Sequence, residues 1–202
     1  MAFEQVRLFR ITGFDTDTGA PTLDSTALPF LTKKASEAEI NNINITLQPE
    51  VVEKTYAADN VQEKDTVVKG YNGTITFYGI DAEALDLITS FTKDANGNLS
   101  LTANKDSGES QICVFYRGKN EKGKKYNAWL YDCEFKPVNL DADQDGDSPK
   151  TTSIEFFAKL ITVNGEKTGG ALVFEGNTGY IAEGTEPKSS DLYIPVETGV
   201  GV

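Results

Sequence analysis

The chain of 202 residues contains no histidine. That removes the usual general base near neutral pH, the commonest metal ligand, and the partner in every Ser–His or Cys–His nucleophile. Cysteine is nearly absent as well, with only Cys113 and Cys133. Two cysteines without an export signal do not make a disulfide framework, so reduced thiols are the preferred reading and a disulfide is the alternative. If the turn between their two strands centres near residues 120–123, Cys113 lies opposite residue 129 or 130 and not opposite Cys133. Positive charge is also scarce: 19 Lys and Arg stand against 31 Asp and Glu, a net charge of −12. A static duplex-DNA binder needs clustered cations to replace counterions, so the charge balance nearly excludes one, and it argues against docking on anionic membranes as well. No apolar run approaches 18 residues, so no membrane-spanning helix is expected. The opening MAFEQVRLFRITG alternates polar and apolar residues and lacks the apolar core of a signal peptide, so export by that route is not expected either.

What the chain does have is strand periodicity. Hydrophobic residues make up 39% and charged residues 25%, the balance of a folded domain, and the length suits one core with a tail. Val6, Leu8, Phe9 and Ile11 give a first short strand. Residues 13–36 are rich in Gly, Pro, Ser, Thr and Asp and read as a long loop. Ile43, Ile45 and Leu47 alternate with polar neighbours, which predicts a strand over 39–48. NGTITFYG at 72–79 alternates again. Asp81 is a suitable N-cap, and Ala84, Leu85, Leu87, Ile88 and Phe91 follow at helical spacing, which predicts one helix ending near Thr92. QICVFYR at 111–117 and KYNAWLYDCEFK at 125–136 read as a hairpin joined by GKNEKGK. On its second strand Asn127, Trp129, Tyr131, Cys133 and Phe135 are assigned to one buried face, and Asp132 and Glu134 to the other. SIEFFAKLIT at 153–162 supplies a last strand, with Ile154, Phe156, Ala158 and Leu160 inward. From Val163 the composition turns glycine-rich, which predicts an extended arm and divides the chain into a β-domain, 1–162, and an arm, 163–202.

Candidate chemical sites are few. Asp141, Asp143 and Asp145 with Gly146 and Asp147 begin like a calcium loop, but the twelfth position is Thr152 and a strand pattern follows. A solvated acidic loop is preferred there, with a calcium site as the alternative. Gly165-Glu166-Lys167-Thr168 lacks the upstream glycine and the Gly-Lys pair of a phosphate loop. Lys119, Lys122, Lys124 and Lys125 read as a solvated turn before a phosphate contact. Asp132 and Glu134 are spaced as any alternating strand face in an acidic chain and not as a glycosidase pair. The triplets at Asn44, Asn72 and Asn98 fit glycosylation, which has no meaning without export. No catalytic residue, cofactor or metal ligand is assigned.

One stretch has a familiar order: EINNINITLQPEVVEKTYAADNVQEKDTVVKGYNGTITFYGIDAEALDLI from Glu39. It resembles the major tail proteins of long-tailed phages of Gram-positive bacteria. The likeness rests on Tyr56-Ala57-Ala58-Asp59-Asn60, on a Gly-bearing strand at 71–79, on the Asp-capped helix at 81–88, and on Tyr116-Arg117 and Tyr126-Asn127-Ala128-Trp129. Asp147-Ser148, leading to Ser153-Ile154-Glu155-Phe156, completes it. It covers residues 39–162 by order and spacing, and it does not extend to 13–36 or 163–202.

The resemblance implies a mainly-β tail-tube fold, a β-sandwich or partial barrel with one flanking helix, a long inter-strand loop at 49–69 and an extended C-terminal arm. It implies six copies in a ring and rings stacked into a tube around a tape-measure protein. Tail terminator and distal tail proteins would cap the tube, and duplex DNA would pass through without specific binding. The chain would then be a structural virion protein with no enzymatic activity, located in the phage tail after assembly in the host bacterial cytoplasm. Contacts between subunits are expected at Val51, Tyr56, Asp59, Val61, Val67, Phe174, Tyr180 and Tyr193, with Tyr56 as the anchor of a loop folded over a neighbour. The arm is expected to order only on assembly. Asp132, Glu134 and Glu155 are expected to face the lumen. The competing class is a monomeric β-sandwich module binding carbohydrate or calcium on a virion or cell surface.

Overall fold

The computed structural model describes residues 6–30, 44–58, 61–78, 91–96, 98–101, 111–136 and 151–195. The described chain is mainly β. Its strands are β1 (Val6–Phe14), β2 (Pro21–Phe30), β3 (Asn44–Ala58), β4 (Val61–Tyr78), β5 (Phe91–Lys93), β6 (Leu99–Leu101), β7 (Ile112–Lys119), β8 (Lys125–Phe135), β9 (Thr151–Lys159), β10 (Ile161–Val163), β11 (Glu166–Thr168) and β12 (Gly170–Phe174). Eight of them form one antiparallel sheet in the order β2-β1-β7-β8-β9-β4-β3, with β12 joining at β8. β5–β6 and β10–β11 are separate two-stranded hairpins. The helix expected from Asp81 and the acidic loop at 141–147 lie outside the described residues.

The central strands are apolar at consecutive positions because both their faces are covered. Val6 and Leu8 of β1, Val114 and Tyr116 of β7, Ala128 and Leu130 of β8, and Ile154, Phe156 and Ala158 of β9 close one core. Phe9 and Ile11, Cys113 and Phe115, and Trp129 and Tyr131 close a second on the opposite face. Trp129 is fully buried there, with its ring edge-on to Phe115 at 4.8 Å and tilted against Phe9 at 5.6 Å. Offset and edge-on arrangements of this kind are the favoured ones for aromatic pairs.

The alternation expected along β8 is interrupted. Val114 pairs with Leu130 but Ile112 pairs with Cys133, so Cys113 alone faces the two residues Tyr131 and Asp132. This is a β-bulge, and the extra residue moves the strand by one phase. Cys133 and Phe135 therefore share a core with Ala128 and Leu130, not with Trp129 and Tyr131. Both thiols are free and buried in different clusters.

Three loop assignments are corrected. Residues 13–36 contain β2, which runs against β1 from Phe14↔Pro21 to Val6↔Phe30. Its turn is held by Asp15, whose Oδ1 accepts the N–H groups of Asp17 and Thr18 at 3.1 and 2.7 Å, an Asx-type turn. Residues 49–58 and 61–69 are not loop but belong to β3 and β4, which stay paired as far as Ala58↔Val61. Residues 163–195, read as an extended arm, fold back on the domain: β12 pairs with β8, and Val163 and Ile181 are buried in the second core. The motif Gly165-Glu166-Lys167-Thr168 belongs to the β10–β11 hairpin. Asn164 and Gly165 have φ of 48° and 81°, as a two-residue type I′ turn requires.

Gly73 of β4 lies opposite Phe156, and a Cβ there would overlap the Phe156 ring, itself 1% exposed. Gly73→Ala is expected to cost about 1–3 kcal/mol through overpacking, read as a lower urea midpoint at unchanged slope. A midpoint equal to that of the parent would contradict this packing.

Candidate functional site: open strand edges and a projecting ribbon

Among the described residues no three metal-ligating side chains gather in one place. Burial pushes both thiols far up from the ordinary cysteine range, which leaves them unreactive. The features that ask for an explanation are strand edges. β3 pairs with β4 from Asn44↔Thr76 to Ala58↔Val61, but β4 pairs with β9 only from Gly70 to Tyr78. Residues 51–58 and 61–69 therefore form a two-stranded ribbon with no third strand among the described residues, about 25 Å long at 3.3 Å per residue. A register shift at Glu50/Val51 marks its root, where a bulge turns the strand away.

The ribbon carries apolar residues on both faces. Val51 stands opposite Val68 and Val52 opposite Val67, and consecutive pairs of a ladder point to opposite sides. Val51 is 50% exposed and Val67 40%. Tyr56, opposite Glu63, and Val61, opposite Ala58, sit at register positions near the far end, and Asp59 lies outside the described residues.

The other expected contact residues are engaged within their own chain. Phe174 meets the Tyr126 ring at 5.9 Å and the Lys124 ammonium at 5.3 Å. The Tyr193 carbonyl accepts the Tyr131 hydroxyl at 2.7 Å, and half-buried Tyr180 donates its N–H to the Asn177 carbonyl at 3.2 Å. Phe174 ends β12, whereas Tyr180 and Tyr193 belong to a strap over the second core. Arg117 donates to the carbonyls of Ala182 and Thr185, Asn127 to that of Ile181, and Lys125 pairs with Glu183 at 2.7 Å.

The three expected lumen acids differ from one another. Glu134 pairs with Lys159 at 2.9 Å and Glu155 with Lys136 at 2.7 Å, so each carries a cation beside it. Asp132 is 4% exposed, held inside by the bulge, and its Oδ2 accepts from Gln111 Nε2 at 3.4 Å. A carboxylate this enclosed does not line an open channel. Desolvation raises its pKa above the ordinary value; Lys159 and Gln111 lower it in part, and Glu134 raises it further.

The sequence allows short strand-like pieces in the arm but does not show that one of them, β12, pairs with β8. Leu172 is 56% exposed, the most open of the large apolar side chains described. The signal for it is the short run Ala171–Phe174 after two glycines, which fits an edge strand as well as an arm.

No protein-family profile and no curated protein matches the chain. Among solved structures it is similar to a crystal structure of Hcp protein, with 12% identity and a TM-score of 0.30 over 84% of this chain and 99% of that one. A superposition this loose carries no functional meaning.

The raised pKa of Asp132 has a signed consequence. The folded state holds this proton to a higher pH than the unfolded chain, so stability falls as pH rises from the ordinary value near 4 to the raised one. Asp132→Asn is expected to remove that fall and to leave the protein at least as stable at pH 7. Urea midpoints measured from pH 4 to 7 check it, and a variant with the parent's pH dependence would refute it.

Proposed function

We propose that this chain is a structural, non-enzymatic subunit of a phage tail tube. Six copies close a ring, and rings stack into a tube around a tape-measure protein that later gives way to DNA. The observation that carries the proposal is the projecting ribbon. An isolated two-stranded hairpin is marginal in water, and this one exposes valine on both faces. A neighbouring copy laid against it would bury those valines and shield the strand edges. The sheet supports the same reading, since its end strands β2 and β3 have one neighbour each among the described residues. A contact between one face of a subunit and a different face of the next closes a ring when the rotation allows. The sequence from 39 to 162 resembles the family in which such rings are expected.

The same proposal places the protein in the virion tail, assembled in the host bacterial cytoplasm, with terminator and distal tail proteins at the tube ends. Net charge has a role in it. Six copies carry 6 × −12 = −72 formal charges per ring. A basic wall would hold phosphates by counterion release, whereas an acidic one repels them within a Debye length of about 8 Å. With Glu134 and Glu155 ion-paired, other acids have to supply that field.

Negative-stain images of the purified protein at increasing concentration are expected to show rings or tubes on the order of 100 Å across. Val51→Lys combined with Val67→Lys is expected to raise the concentration needed for assembly at least about tenfold, because charge replaces the buried apolar contact. A protein that stays monomeric at every concentration, or a double variant that assembles like the parent, would refute the reading.

A further inference from the structure

β9 and β12 occupy the same side of β8 in succession. β9 ends its pairing at Ala158↔Cys133, and β12 takes over from Gly170↔Leu130. Between them the chain leaves the sheet as the β10–β11 hairpin. β12 does not go on to pair with β4, as β9 does. A cleft of about 420 Å³ separates the two, lined by Val68 and Tyr71 from β4 and by Leu160, Lys167, Gly170 and Leu172 on the other wall.

The wall formed by β12 is a strand edge with hydrogen bonds to give. The Tyr131 N–H bonds to the Gly169 carbonyl and the Glu175 N–H to the Lys125 carbonyl, both at 3.0 Å. In an antiparallel ladder these bonded pairs alternate with unbonded ones, so Gly170, Leu172 and Phe174 turn their backbone groups away from β8. Thr168 Oγ1 already serves both backbone groups of Gly170, and the Phe174 carbonyl accepts the N–H of Asn177. The Leu172 N–H and carbonyl remain directed into the cleft. On the facing wall, Val68 of β4 has no strand on that side among the described residues, whereas Tyr71 pairs with Ala158 of β9.

We propose that this cleft receives an extended strand of a second copy of the chain, which pairs with β12 at Leu172 and covers its side chain. Two unpaired edges facing one gap call for a peptide backbone, the mode in which a strand is added to a sheet. The apolar lining takes alternate side chains of that strand. Lys167, exposed on the cleft lining and without an ion pair among the described residues, gives the cleft one cation for a carboxylate on the entering strand. The inference rests on the reading of the chain as a self-assembling subunit and specifies where one copy enters the next.

The test uses the full chain. Leu172→Pro deletes the outward N–H, and proline is tolerated on an edge strand whose N–H faces away from the sheet. Leu172→Lys keeps the N–H and removes the apolar contact. Each variant, shown folded by circular dichroism, is expected to need at least about tenfold more protein to self-associate in sedimentation velocity. Leu172→Cys gives a third readout, because both native cysteines are buried. Its maleimide reactivity is expected to drop at least about tenfold on association. Folded variants that associate like the parent, or a Leu172→Cys thiol equally reactive in both states, would overturn the inference. Small oligomers that depend on Leu172 but never form tubes would support the cleft and refute the tail-tube reading. A parent chain monomeric at all concentrations would overturn both.

Discussion

The whole architecture turns on how the backbone hydrogen bonds of β8 and β4 are shared out. β8 gives one edge to β7 and divides the other between β9 and β12. Because the chain leaves the sheet between those two strands, β4 loses its neighbour below Gly70. The long β3–β4 ribbon, the cleft beside it and the outward backbone of Leu172 all follow from that departure. Strand edges left open are a hazard that folded proteins ordinarily cover, and this is the physical ground of the proposed self-assembly.

The rest of the molecule is built to hold this arrangement rigid. Two apolar layers lie on either side of the central strands, and each fully buried large side chain contributes about 1.5–3 kcal/mol. The second layer is closed by the strap from Glu175 to Pro195, which has little regular structure of its own beyond a turn at Ser189–Asp191. It is fixed by side chains of the sheet reaching its carbonyl groups: Arg117, Asn127, Tyr131 and Asn164 each donate to one or two of them. Such bonds satisfy irregular backbone that would otherwise be buried unpaired.

The strand content, the β7–β8 hairpin and the apolar character of β1, β8 and β9 were legible in the sequence, because branched and aromatic residues at period two leave little choice. The bulge at Tyr131–Asp132 was not legible. It changes phase through backbone register alone, and it turned an expected surface acid, Asp132, into a buried one. The β3–β4 ribbon was hidden for a different reason. Its residues 50–69 mix five Val with three Glu and three Lys and carry no turn signal stronger than Asp59-Asn60, so the span between the expected strands read as too long for a tight hairpin where pairing made a strand. The fold of 163–195 was concealed by glycines that serve turns, such as Gly165 with positive φ, and close approach, such as Gly170 against the Trp129 backbone. Of the expected contact residues, Val51 and Val67 stand exposed on the ribbon, whereas Phe174 and Tyr193 pack within their own chain.

Amide hydrogen exchange compared between dilute monomer and concentrated protein addresses the central claim most directly. If the open edges exist to be completed by other copies, amides of residues 51–69 and of Leu172 become protected on concentration while β7 and β8 stay unchanged. Equal exchange of the ribbon and of β12 in both states would contradict the account.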